Sequence, residues 1–134
     1  MEKQIIDQLK KYGIEFQIKC ISSLLSDKSF LERISDIIDP QSFELESHQW
    51  IVKNIVDYFL KYKDLPTLNV FKVQVDTIQT DVLKKTVIEQ LKLVYQNISE
   101  NDIKFVKEQY LEFCKNQKMK SAILESVDLI KSGE

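Results

Sequence analysis

The sequence predicts an all-α protein, a compact multi-helix globular domain followed by a long helix. Three observations lead there. In 134 residues there are only two glycines and two prolines, too little punctuation for a turn-rich sandwich or barrel. Hydrophobic residues make up 43% and charged residues 30%, a globular balance. Apolar residues also recur at helical rather than strand spacing along most of the chain.

Taken in order, Glu2 to Lys11 places Ile5, Ile6 and Leu9 on one helical face, and Gly13 stands where a terminator belongs. From Ile14 to about Asp27, Ile14, Ile18, Ile21 and Leu25 step along one side with Phe16, Cys20 and Leu24 beside them, a face wide enough for a mostly buried helix. Ser29 is the expected cap of a third helix running through Ile38, stopped at Asp39-Pro40 because the residue before proline avoids the α region. A turn then covers Asp39 to Ser42.

Glu46 to Lys63 carries Trp50, Ile51, Ile55, Tyr58, Phe59 and Tyr62 and is expected to be the central core helix, closed by Pro66. Thr67 suits an N-cap for Leu68 to Ile78. The valines there, with Phe71, also fit a short strand, and we read a helix. Asp81 is expected to cap Val82 to Ile98, where Val87, Leu91, Val94 and Ile98 keep helical spacing.

Ser99-Glu100-Asn101-Asp102 has the form of a capping box. It opens a stretch free of Gly and Pro to Lys131, with Gly133 as its stop, roughly 45 Å of helix at the α-helical rise. Ile103, Val106, Tyr110, Phe113 and Cys114 make one stripe on it. Met119, Ala122, Ile123, Val127 and Ile130 make another, displaced around the axis. The first is expected to face the domain, and the second an external neighbour, since an unburied apolar stripe is an association surface. The division is therefore residues 1–98, globular, and 99–134, the long helix.

Chemistry is sparse. There is no phosphate-cradling glycine loop, so this chain is not expected to be an enzyme. The single histidine, His48, has no nucleophile or metal partner in its neighbourhood and reads as a helix anchor. Cys20 and Cys114 lack zinc-ligand spacing and read as buried thiols. Ser22-Ser23 suits close helix packing, and Trp50 the core. The formal net charge of −2 excludes a global basic field. A local contact to phosphate or an acidic partner would fall to Lys115, Lys118 and Lys120, with Tyr110 or Tyr95 as stacking rings if the strand were single. A solvated face is the plainer reading of those lysines. No apolar run reaches the roughly 18 residues of a membrane span, and a cytoplasmic protein is expected.

One stretch carries a resemblance. Ser22-Ser23-Leu24-Leu25-Ser26-Asp27 pairs two small residues with an L-L-x-D run. Phe30 then opens the next helix, Phe43 leads to His48 and Ile51, and Pro66-Thr67-Leu68 precedes a short helix. This order resembles the N-terminal domain of DnaB-like replicative DNA helicases. Gln17-Ile18 stands where that family often has a glutamate-glutamine pair, and Ser22-Ser23 where it has glycines, which points to a phage-encoded member and the host cytoplasm.

The resemblance implies that the long helix is the first arm of a helical hairpin, cut before its return arm, the linker and the ATPase domain. The parent would be an ATP- and Mg-dependent hexameric helicase. This part would be its non-catalytic collar, without a cofactor of its own, pairing subunits and docking primase or a helicase loader, with single-stranded DNA held elsewhere in the parent. Met119, Ile123, Val127 and Ile130 are the residues expected to self-associate. The alternative is a stand-alone helical adaptor that binds a host or replication factor through its long helix.

Overall fold

The computed structural model describes residues 9–99 and 101–132. Within them the chain is all-helical: a short 3-10 turn (Leu9–Tyr12), then α1 (Ile14–Ser26), α2 (Lys28–Ile34), a 3-10 turn (Pro40–Ser42), α3 (Glu46–Tyr62), α4 (Leu68–Val75), α5 (Asp81–Gln96) and α6 (Ile103–Ser132). The expected helix over Glu2 to Lys11 lies mostly outside the described residues. Its visible end is the 3-10 turn, with Leu9 fully buried. Gly133 also lies outside them.

The hub of the core is α1, not the aromatic helix expected for that place. It packs on α2, α3, α5, α6 and the opening turn, and every residue from Gln17 to Leu25 except Lys19 is buried. The reason lies in side-chain size. Cys20, Ser22 and Ser23 let neighbours approach on faces where α3 instead carries the exposed Lys53, Asp57 and Lys61. On α3 only Ile51, Val52, Ile55 and Phe59 are apolar and buried, Trp50 is half-buried, and Tyr62 is exposed.

Gly13 joins the opening turn to α1. At φ 88° it takes a backbone conformation suited to glycine, and its carbonyl accepts the first helical bond, from Gln17 N–H at 3.2 Å.

Several helix ends differ from expectation. Asp27, not Ser29, caps α2, its carboxylate accepting from Ser29 N–H at 3.0 Å. α2 stops at Ile34 rather than Ile38, and Ile37 and Ile38 N–H both turn back onto the Ile34 carbonyl. This lets Asp39 reach the extended conformation that Pro40 demands. α3 ends in a left-handed cap at Lys63, φ 58°, whose N–H donates to Phe59 O at 2.7 Å. The helix is thus already over when Pro66 arrives.

Thr67 does cap α4, which is a helix and not a strand, ending at Val75 rather than Ile78. Asp81 sits inside α5 as its first residue, with Thr80 before it as the cap, and α5 ends at Gln96. The capping box at Ser99 to Asp102 is not what opens α6. That helix starts at Ile103, Val106 N–H bonds the Asp102 carbonyl at 3.0 Å, and the Asp102 carboxylate turns to Lys19 Nζ at 2.7 Å.

Candidate association surface

The site begins with how α6 is held. Its first half lies against α1 and α2 with Val106, Tyr110, Phe113 and Cys114 buried and Ile103 half-buried. Tyr110 is enclosed completely, and Phe43 meets its ring edge-on at 6.0 Å between centroids. Two ion pairs pin this half to the middle and the C-terminal end of α1, Lys19 to Asp102 at 2.7 Å and Lys107 to Asp27 at 3.2 Å. Lys107 holds the Asp27 carboxyl below its ordinary value, chiefly through the hydrogen bond.

The character of the helix changes at Met119. From there to Lys131 only Lys120 and Leu124 are even half-buried. Met119, Ile123, Val127 and Ile130 are 62%, 56%, 40% and 69% exposed. Spaced four, eight and eleven residues on, they fall within about 80° of arc, displaced roughly 120° from the stripe that faces the body. Leu124, in line with the body-facing stripe, carries that stripe outward. The exposed stripe is therefore a separate face, turned toward solvent, and Leu129 is exposed as well, about 80° around the axis from Met119. Ala122 is exposed too.

The three lysines are not brought into one cluster. Lys115 and Lys118 are exposed on one side of α6, while Lys120 is half-buried and lies well around the axis from both. Lys118 instead lines a groove of about 430 Å³ between α6 and the segment 36–42, opposite Asp36 and Asp39. In that groove Gln117 is largely buried, and its amide has no hydrogen-bond partner among the described residues. A stacking role for Tyr110 fails because its ring is fully enclosed. Tyr95 is half-buried.

The other singled-out residues serve the interior. His48 is fully buried, its Nε2 lying 2.7 Å from Gln90 Oε1 across the α3–α5 junction. Because Gln90 Oε1 can only accept, Nε2 carries the proton, which leaves Nδ1 as a buried acceptor without a partner among the described residues. Burial pushes the imidazole below its ordinary value, against the opposing effects of the Gln90 bond and Glu44.

Ser22 Oγ lies 2.7 Å from the Val94 carbonyl and 3.0 Å from that of Ile18. It links α1 to α5, while Ser23 donates to Cys20 O on its own helix. Cys20 and Cys114 are buried free thiols. Burial drives both upward, with Cys114 reaching about 12. A thiol held that far up is a poor nucleophile at neutral pH.

Gln17 is the residue that pattern reading missed. Fully buried, it accepts from Glu44 N–H at 2.9 Å and donates to the Gly13 carbonyl at 3.2 Å. It thereby clamps the approach to α3 onto the start of α1. A glutamine inside an apolar stretch was the available signal, but its partner is 27 positions away.

Among the described residues no group of three or more His, Cys, Asp or Glu side chains could hold a metal ion. Nor is any helix among them long and apolar enough to cross a membrane. No family model, curated protein or solved structure matches the chain, so the association surface rests on the geometry of α6 itself.

Proposed function

We propose that this chain is a non-catalytic association module, the collar domain of a DnaB-like hexameric replicative helicase. In this reading the outer half of α6 pairs subunits and the helical body docks primase or a loader. The supporting observation is the change along α6 at Met119, where a helix anchored in the core continues with its apolar stripe in solvent. An isolated amphipathic helix of about four turns is marginal in water. Its apolar face is stabilised by a neighbour, and a second copy carries a matching face. The order of features from Ser22-Ser23 to Pro66-Thr67-Leu68 supplies the helicase part of the proposal.

Sedimentation across a concentration series tests the association. The native chain is expected to shift toward dimers or larger species, and the Ile123→Asp/Val127→Asp variant to stay monomeric with unchanged helicity. A native chain that remains monomeric at high concentration would remove the reading. Sequencing the gene beyond the codon for Glu134 tests the parent. A strand followed by G-x-x-x-x-G-K-[ST] opening a helix supports the helicase, and a stop codon leaves an adaptor that associates through α6.

A further inference from the structure

A second surface lies away from α6, between α4 and α5. It is a cavity of about 430 Å³, within the roughly 300–1,000 Å³ range of clefts that bind ligands. Phe71 and Leu91 form its buried floor, and Leu68 and Ile88 stand exposed at its edges. Exposed aliphatic side chains beside a buried aromatic make a groove rather than a sealed core, the shape that receives one face of an amphipathic helix.

The polar rim indicates which helix. Lys72 on α4 and Lys92 on α5 line the groove, and neither has an ion pair or hydrogen bond among the described residues. The Tyr95 hydroxyl at the same rim also has no hydrogen-bond partner among the described residues. Among the described residues no acidic side chain lines the groove, and the nearby Asp76 is paired with Lys84 at 3.2 Å. Two unpaired ammonium groups and a phenol around an apolar floor favour carboxylates flanking aliphatic anchors.

The chain's own exposed stripe fits poorly. Lys120 and Lys131 lie just beside it on the helical wheel, so docking it here would set lysine against lysine. We infer that the α4–α5 groove is the docking site for an acidic amphipathic helix of a partner protein, seated by aliphatic anchors over Phe71 and Leu91 and held by carboxylates at Lys72 and Lys92. This site shares no residue with α6 and does not depend on the association proposed above.

The test titrates two fluorescein-labelled helical peptides, each about five turns long, into the ¹⁵N-labelled full chain. Both carry leucines at i, i+3, i+4 and i+7. One has glutamates at the flanking positions and the other lysines.

The acidic peptide is expected to bind saturably, more weakly as salt rises, with amide shifts confined to α4 and α5. Lys72→Glu/Lys92→Glu should weaken it roughly tenfold and reverse the preference toward the lysine peptide. Ile88→Ala, which leaves the charges in place, should weaken both peptides.

Absence of binding by the acidic peptide would overturn the inference, as would equal binding of the two peptides or undiminished binding by the lysine variant. So would shifts that fall on residues 119–131, or self-association that requires Lys72 and Lys92, which would make a second copy the occupant. Failure of the α6 sedimentation test leaves every one of these readouts intact, so the two proposals fail separately.

Discussion

The two halves of α6 are built from similar residues and end in opposite environments. Tyr110, Phe113 and Cys114 recur at helical spacing, as do Met119, Ile123 and Val127, yet the first set is buried and the second exposed. Neither composition nor period separates them. Phase does, because a stripe turned by about 120° can no longer face α1 and α2. Along one continuous helix, apolar spacing reports that a face exists, and its angular offset reports whether the neighbour is the same.

The sharpest way to break this comparison is to truncate one side chain in each half. Tyr110→Ala empties a fully enclosed site and is expected to cost about 3–5 kcal/mol of folding stability. Ile123→Ala, at an exposed position, should stay within about 0.5 kcal/mol while weakening association. Urea unfolding measured at a concentration where the chain is monomeric reads both. Equal losses at the two positions would mean that the outer half is packed against the body in solution.

Legibility in the sequence follows the same division. Faces made by local spacing were readable: the broad face of α1, the buried stripe of α6 and its displaced continuation, and the Thr67 cap of α4. Features fixed by distant partners were not. Asp27 displaces Ser29 as the α2 cap, and also meets Lys107, 80 positions away. Asp102 leaves the expected capping box for Lys19, 83 positions back.

The aromatic content of α3 points to it as the centre, yet that place belongs to α1, whose packing depends on small residues that add little to a hydrophobic pattern. Of the candidate site, the four exposed apolar residues were legible. The separation of Lys120 from Lys115 and Lys118 also follows from helical angles, once α6 is known to be continuous. The α4–α5 groove was not legible, since it exists only where two helices meet.

A smaller effect comes from pH and tests the burial of the body on its own, without the outer helix. His48 titrates lower in the folded chain than in the unfolded chain because it is buried. Above the ordinary histidine value both states are neutral, and the full stability is present. As pH falls below about 6.5 the unfolded state takes up protons first. Stability should then decline until the folded-state value is passed, where the loss levels off.

Carboxylates held low, such as Asp27, contribute their loss at more acid pH. His48→Gln should flatten the decline near neutrality. Thermal unfolding at pH 7.5 and 5.5, compared between the two proteins, measures it. An identical pH slope would mean that His48 is not buried neutral in solution.

The smallest effect is a gain. Lys63 holds φ 58° to end α3, a left-handed conformation in which its Cβ is unfavourable. Glycine takes that conformation without the clash. The side chain is exposed at the surface, with its ammonium 6.0 Å from the centroid of the Phe59 ring. That contact is worth about 0.5–1 kcal/mol at an exposed site, and a left-handed non-glycine residue costs on the order of 1–2 kcal/mol. Lys63→Gly should therefore raise stability by about 0.5 kcal/mol, with part of the relief offset by the greater freedom of glycine in the unfolded chain. Because α3 makes no principal contact with α6, the substitution should leave the sedimentation profile unchanged. A stability gain accompanied by altered association would join the two regions that the geometry of α6 keeps apart.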